Sequence, residues 1–173
     1  MELGAQGKSV GELCSLVISR EGATMISGKD EFRILLADDH ALIRHGIKNI
    51  LKTNESLKIV GEVSNGEELM AFLESMEVDL IVLDISMPGV GGMESLGRVK
   101  SKYPAVKILM LTMYNSKQYF YDAMSAGADG YLMKDDSDGE LLVAITRVLS
   151  GKNYVSPHMV GDFANDVITM YRN

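Results

Sequence analysis

The sequence predicts a doubly wound α/β fold built on a five-stranded parallel sheet, and three observations carry that prediction. Between residues 33 and 150, short apolar runs alternate with amphipathic segments, strand pattern after helix pattern. The apolar runs are continuous, as strands buried on both faces of a parallel sheet require. Several of them lead into a carboxylate, a hydroxyl or a lysine, and function in such sheets gathers at the carboxyl ends of the strands.

The first run, Arg33 to Ala37, ends in acids and delivers the chain to Asp38. His40 to Lys52 sets Ile43, Ile47, Ile50 and Leu51 opposite Arg44, Lys48 and Lys52, so an amphipathic helix is expected there. The unit then repeats as strand Leu57 to Val63 with helix Gly66 to Ser75, and as strand Asp79 to Leu83 with helix Gly92 to Lys102. It continues as strand Val106 to Leu111 with helix Ser116 to Ala126, and as strand Gly130 to Met133 with helix Ser137 to Ser150. Right-handed crossovers between these strands place helices on both faces of the sheet. Gly97 weakens its helix by ~1 kcal/mol relative to Ala, and marks either close packing or mobility.

Residues 1 to 31 carry Gly4, Gly7, Gly11, Gly22 and Gly28 without a sustained period, which reads as a loosely structured extension. Met25 stands shortly before the first strand as an alternative start, so residues 1 to 24 are either a genuine extension or precede the native beginning. At 173 residues the chain suits one α/β core, here 32 to 151, plus appendages. Its net charge of −7 argues against direct binding of nucleic acid. Cys14 is the single cysteine, which excludes an intrachain disulfide and fits a reducing cytoplasm. The run Leu13, Leu16, Val17, Ile18 is too short for a signal peptide, and no stretch approaches the ~18 apolar residues of a membrane span.

The strand ends hold Asp38, Asp39, Asp84, Thr112 and Lys134, and these five side chains are expected on one rim. Adjacent carboxylates raise each other's pKa unless a cation is present, and Mg²⁺ favours hard oxygen ligands. With the metal held mainly by Asp38 and Asp39, Asp84 can be a carboxylate nucleophile that carries a phosphoryl group as an acyl phosphate. Lys134, Thr112 and the metal would then stabilise the transferring oxygens. One aspartate at a strand end is ordinarily a helix N-cap. The ordered set on strands one, three, four and five is what points to chemistry.

Residues 32 to 151 resemble the receiver domain of two-component response regulators. The strings Leu35-Leu36-Ala37-Asp38-Asp39-His40 and Ala126-Gly127-Ala128-Asp129-Gly130-Tyr131-Leu132 resemble its NarL/FixJ (LuxR-type) class in particular. The resemblance implies a flavodoxin-like sheet of order 2-1-3-4-5. It implies that Asp84 accepts phosphate from a sensor histidine kinase, that Asp39, Asp84 and the Ser86 backbone carbonyl coordinate Mg²⁺, and that Asp38 assists through water. Thr112 and Tyr131 would form the switch, and the helix 116–126, strand 130–133 and helix 137–150 the output surface. Ser86 and Tyr114 stand where receivers tune phosphoryl lifetime. Asp135 departs from the proline common after the lysine, which leaves open whether Lys134-Asp135 is cis.

The expected role is a cytoplasmic signalling switch rather than an enzyme, the regulatory part of a transcription regulator. Its implied partners are a sensor kinase, a possible second copy, and DNA only through a C-terminal domain absent from this chain; no membrane contact is expected. Residues 152 to 173 are read as a linker and a helix. Ser156 would be its N-cap, Pro157 its first residue, and Met159, Val160, Phe163, Val167, Ile168 and Met170 its apolar face. The chain is either an excised receiver or a natural stand-alone one. The alternative function is a phosphate-independent interaction receiver. A phosphohydrolase would want a second acid where Ser86 stands, and the glycines from Gly89 to Gly97 fit neither a Walker A loop nor a dinucleotide turn. FMN binding is disfavoured by the missing hydroxyl-rich loop and tryptophan. His40 and His45, five apart on a helix, make a poor zinc pair, His158 is expected to be exposed, and the methionines are read as core filling.

Overall fold

In the computed structural model, which describes residues 30–161, the predicted alternation is realised with small shifts at the element ends. The elements run β1 (Phe32–Ala37), α1 (Ala41–Leu51), β2 (Leu57–Val63), α2 (Gly66–Ser75), β3 (Leu80–Asp84), α3 (Gly92–Lys102), β4 (Lys107–Thr112), α4 (Lys117–Ser125), β5 (Gly130–Met133) and α5 (Ser137–Leu149). A 3₁₀ turn at Lys134–Asp136 joins β5 to α5, and the short β6 (Tyr154–Val155) follows. Asp84 and Thr112 therefore belong to their strands. The sheet order is β2-β1-β3-β4-β5-β6, and every pairing is parallel. The sixth strand extends the expected order: the exit segment pairs Tyr154 with Gly130 and Val155 with Tyr131.

Two cores sandwich the sheet because side chains alternate along each strand. Ile34, Leu36, Leu80, Val82, Leu109, Leu111 and Leu132 face α1 and α5, where Ile47, Leu51, Leu141, Ala144, Ile145 and Val148 cover them. Leu35, Ala37, Ile81, Leu83, Ile108, Met110, Tyr131 and Met133 face the other way, under Leu69, Leu73, Leu96, Val99 and Ala123 of α2, α3 and α4. At ~25 cal/mol per Å² of apolar surface removed from water, this double burial is the main stabilising term.

Side-chain caps fix two helix starts: Asn65 accepts from the Glu68 N–H, and Ser116 from the Tyr119 N–H. Asp129 staples the opposite end of the sheet, accepting from Lys100 Nζ at 2.7 Å, Lys107 Nζ at 3.0 Å and the Ile108 N–H at 2.9 Å. Burial opposes its ionisation, but the Lys100, Ile108 and Lys107 donors prevail and hold the carboxyl below its usual range. Gly97 is exposed and an added Cβ would meet open space, so the close-packing reading is set aside. Among the described residues every peptide bond is trans, Lys134-Asp135 included. No helix among them is long and apolar enough to cross a membrane.

A further helix begins at Pro157 and is described to residue 161. Met159 is buried in the α2–α4 side of the core, whereas Val160 is half exposed. Phe163, Val167, Ile168 and Met170 lie outside the described residues, as do Cys14 and residues 1 to 29.

Candidate functional site

Strand alternation aims two of the predicted acids at one point. Asp38 continues the face of Ile34 and Leu36, and Asp84 that of Leu80 and Val82, so both carboxylates emerge on the α1/α5 side of the sheet's carboxyl edge. Lys134 opens the turn after β5 and reaches back across that edge. Its Nζ lies 2.7 Å from Asp38 Oδ2 and 3.1 Å from Asp84 Oδ2. Asp38 and Asp84 are each only 2% exposed, and Lys134 is also buried.

Two buried carboxylates thus share one ammonium. Neither Asp38 Oδ2 nor Asp84 Oδ2 has a hydrogen bond of good geometry, so each relies on unaligned proximity to the lysine. Burial pushes the Asp84 carboxyl above its usual range; the Lys134 charge opposes this and Asp38 reinforces it. Asp39, one-third exposed, adds a third carboxylate and leaves the cluster open to solvent. Three carboxylates with two under-satisfied buried oxygens and a surplus of negative charge fit a hard divalent cation such as Mg²⁺.

His40 joins this cluster, which its spacing from His45 did not reveal. It is the N-cap of α1 but its side chain makes no capping bond. Its N–H donates to Asp38 Oδ1 at 2.8 Å, and its ring Nδ1 lies 3.1 Å from both Asp38 Oδ1 and Asp39 Oδ1 and 3.9 Å from Asp84 Oδ2. One donor atom from each of Asp38, Asp39, His40 and Asp84 falls within 4.8 Å of the others. The signal was available: a residue between a strand's terminal acids and the next helix sits at the sheet's carboxyl edge. His45 is exposed and outside this group.

The glycine-rich turn after β3 serves the backbone of the same aspartate. The Ser86 N–H donates to Asp84 Oδ1 at 3.3 Å, and the Gly92 N–H to the Ile85 carbonyl at 3.0 Å. A Cβ on Gly92 would overlap the Asp84 carbonyl oxygen and lie 2.8 Å from Asp84 C and Ile85 Cα. Gly89, at φ +67°, adopts the left-handed conformation that a side chain disfavours. Ser86 itself is exposed.

Thr112 and Tyr131 lie on the other face. Thr112 stands one register step beyond Leu111, the partner of Asp84, and its buried hydroxyl accepts the Tyr114 N–H at 2.9 Å. Tyr131 is fully buried, packs edge-on against Phe120 at 5.4 Å, and donates its hydroxyl to the Tyr114 carbonyl at 3.3 Å. Burial pushes its phenol up to about 12, with the Thr112 hydroxyl pulling the other way. Both side chains therefore hold the backbone of one residue, Tyr114, just past the strand.

The exit from the domain is tied to the same edge. The Ser156 N–H donates to the Tyr131 carbonyl at 2.9 Å, and its hydroxyl accepts the Met133 N–H while donating to Asp136. Ser156 caps the following helix through its carbonyl, which accepts from the Val160 N–H at 3.2 Å; its side chain is engaged elsewhere. His158 is exposed as expected but pairs with Asp136 Oδ1 at 2.5 Å.

Comparison with known proteins agrees with this architecture. The family described as response regulator receiver domain matches residues 34–146. The response regulator UvrY of Escherichia coli is 38% identical over 131 residues, covering 76% of this chain and 60% of its own length. The nitrate/nitrite response regulator NarL of the same organism is 36% identical over 131 residues, covering 76% of this chain and 61% of its own. The chain thus spans about three-fifths of the curated relatives it matches. A crystal structure of a LuxR-family two-component response regulator from Aurantimonas superposes with a TM-score of 0.75 at 29% identity, over 80% of this chain and 99% of that one. A sheet wound in the receiver order, an acid cluster on a lysine at its carboxyl edge and these relatives converge: the chain belongs to the response-regulator receiver family of two-component systems.

Proposed function

We propose that this chain is a phosphoacceptor switch in which Asp84 takes a phosphoryl group from a sensor histidine kinase. The observation that carries the reading is the buried Asp38–Lys134–Asp84 arrangement, with Lys134 Nζ 3.1 Å from the Asp84 oxygen that would attack. An Asp84 carboxylate oxygen forms the new P–O bond as the phosphohistidine P–N bond breaks, and the imidazole departs with its electron pair. Mg²⁺, when held by Asp39, Asp84 and the Ser86 carbonyl with Asp38 assisting, supplies the positive charge that phosphoryl transfer requires.

Lys134 neutralises one transferring oxygen, and Thr112 turns its hydroxyl from the Tyr114 N–H toward another. Release of Tyr114 from Thr112 loosens the segment that Tyr131 also holds, which couples the charge at Asp84 to α4, β5 and α5. Asp136, two residues past Lys134, extends that coupling to the exit helix through Ser156 and His158. By analogy with a DNA-binding response regulator of the LuxR family from Staphylococcus aureus, 27% identical, the output is transcriptional, through a DNA-binding part outside the receiver region, with a second copy of the chain as a further partner.

The test is incubation with acetyl phosphate and Mg²⁺ followed by intact-mass measurement. A single adduct of about 80 Da is expected, as one phosphoryl group adds. It should be absent without Mg²⁺ and absent in Asp84→Asn. An adduct that persists in Asp84→Asn would sink the assignment.

A further inference from the structure

We propose that His40 is a nitrogen ligand of the acidic pocket, and that it biases the pocket toward first-row transition ions such as Mn²⁺, Co²⁺ or Zn²⁺ over Mg²⁺. The inference rests on the reading of this pocket as a metal site and adds a donor of a different chemical kind to it.

Donor spacing is the first argument. Ligands held about 2.0–2.2 Å from one ion stand about 2.8–3.1 Å from their neighbours in octahedral geometry and about 3.3–3.6 Å in tetrahedral geometry. His40 Nδ1 lies 3.1 Å from Asp38 Oδ1 and 3.1 Å from Asp39 Oδ1. The imidazole is thus already one ligand edge away from two carboxylate oxygens. The ring is 60% exposed, contributes no helix cap, and is turned toward the acids by the contact of Nδ1 with Asp38 Oδ1.

Charge is the second. Asp38 divides its two oxygens: Oδ1 faces His40, whereas Oδ2 faces Lys134. A cation on the His40 side therefore need not displace the ammonium. The buried Asp84 Oδ2, 3.9 Å from His40 Nδ1, lacks a hydrogen bond, an under-satisfaction that a second positive charge on that side relieves.

Ligand chemistry is the third. Mg²⁺ binds oxygen and keeps its waters, and gains little from a nitrogen donor. Imidazole suits Zn²⁺, and affinity for such sites rises from Mn²⁺ through Co²⁺ along the first row. The specific consequence is that the pocket's preference for the transition ion over Mg²⁺ depends on His40, while its affinity for Mg²⁺ does not.

The experiment is a Co²⁺ titration of the whole chain, followed by the visible absorption of the bound ion and competed with Mg²⁺. His40→Ala should lower Co²⁺ affinity tenfold or more, weaken its visible bands, and leave Mg²⁺ affinity within about twofold. His40→Asn, which keeps a residue suited to the N-cap, should behave the same way and separates ligand loss from helix fraying. His45→Ala and His158→Ala should leave the Co²⁺ titration unchanged. Unchanged Co²⁺ affinity in His40→Ala, or an equal loss of Co²⁺ and Mg²⁺, would each overturn the proposal. Co²⁺ bound through His40 in a chain that never takes Mg²⁺ would support it while sinking the Mg²⁺ reading of the preceding section.

Discussion

Two glycines in α3 receive the same substitution and should respond with opposite signs. At Gly97 a Cβ meets open space on an exposed helical face, so Gly97→Ala should gain about 0.5–1 kcal/mol by restricting the unfolded chain and favouring the helix. At Gly92 the same methyl overlaps the Asp84 carbonyl oxygen and presses on Asp84 C and Ile85 Cα at 2.8 Å. These are backbone atoms of a buried strand end, so they cannot swing aside as a side chain would. Overpacking of this kind costs about 1–3 kcal/mol, which outweighs the helical gain. Urea unfolding followed by circular dichroism should therefore separate the variants by roughly 1–3 kcal/mol, with Gly97→Ala above the parent and Gly92→Ala below it. Displacement of Asp84 should also slow its labelling by acetyl phosphate more than tenfold in Gly92→Ala and leave Gly97→Ala at the parent rate, since ~1 Å of misplacement can cost ~10²-fold. The reasoning is refuted if both variants shift stability in the same direction, or if Gly92→Ala matches the parent in stability and labelling.

Lys134→Met should leave Asp38 and Asp84 buried without their cation and cost about 3–5 kcal/mol at pH 7. Because the folded carboxyls then hold protons more tightly than the unfolded ones, stability should recover as pH falls toward ~4, and urea midpoints at pH 7 and 5 that show no recovery would contradict this. Asp129→Ala should cost about 2–3 kcal/mol by stranding Lys100, Lys107 and the Ile108 N–H. The Asp129 contribution, coming from a lowered folded pKa, is present above the unfolded value near ~4 and is lost as pH falls through the folded one; the difference between parent and variant should shrink there. In a spectrophotometric titration the Tyr131 phenol should ionise near pH 12, ahead of Tyr154, which burial and Glu140 push up further, and Tyr131→Phe should remove that phase. Its raised pKa adds stability that is whole below pH ~10 and disappears as pH climbs to about 12, so equal alkaline melting of parent and Tyr131→Phe would count against its burial.

The order of elements was readable because burial imposes a period. Leu57 to Val63, Gly66 to Ser75, Gly92 to Lys102 and Gly130 to Met133 coincide with β2, α2, α3 and β5 to the residue, each bounded by a cap, a glycine or a charge. The alternation along β1 and β3 also placed Asp38 and Asp84 at strand ends, where a carboxylate reaches one rim whatever the details of packing. Hydrophobic period and strand-end chemistry are local properties, and one chain carries them without reference to anything distant.

Contacts between distant segments are not written in that way. The ion pairing of Lys134 with two acids far along the chain, the staple at Asp129, the sixth strand at Tyr154–Val155 and the hold of Asp136 on Ser156 and His158 each depend on how β5 lies against β4 and β6. His40 illustrates the division most clearly. Counting along a helix paired it with His45 and argued against a metal, whereas the turn from β1 into α1 points it at Asp38 and Asp39. The sequence alone determined the fold, the sheet order through its resemblance, and the residues of the acidic rim. Tertiary structure alone decided which oxygens face the ammonium and which face the imidazole, because those neighbours meet through the sheet and not along the chain.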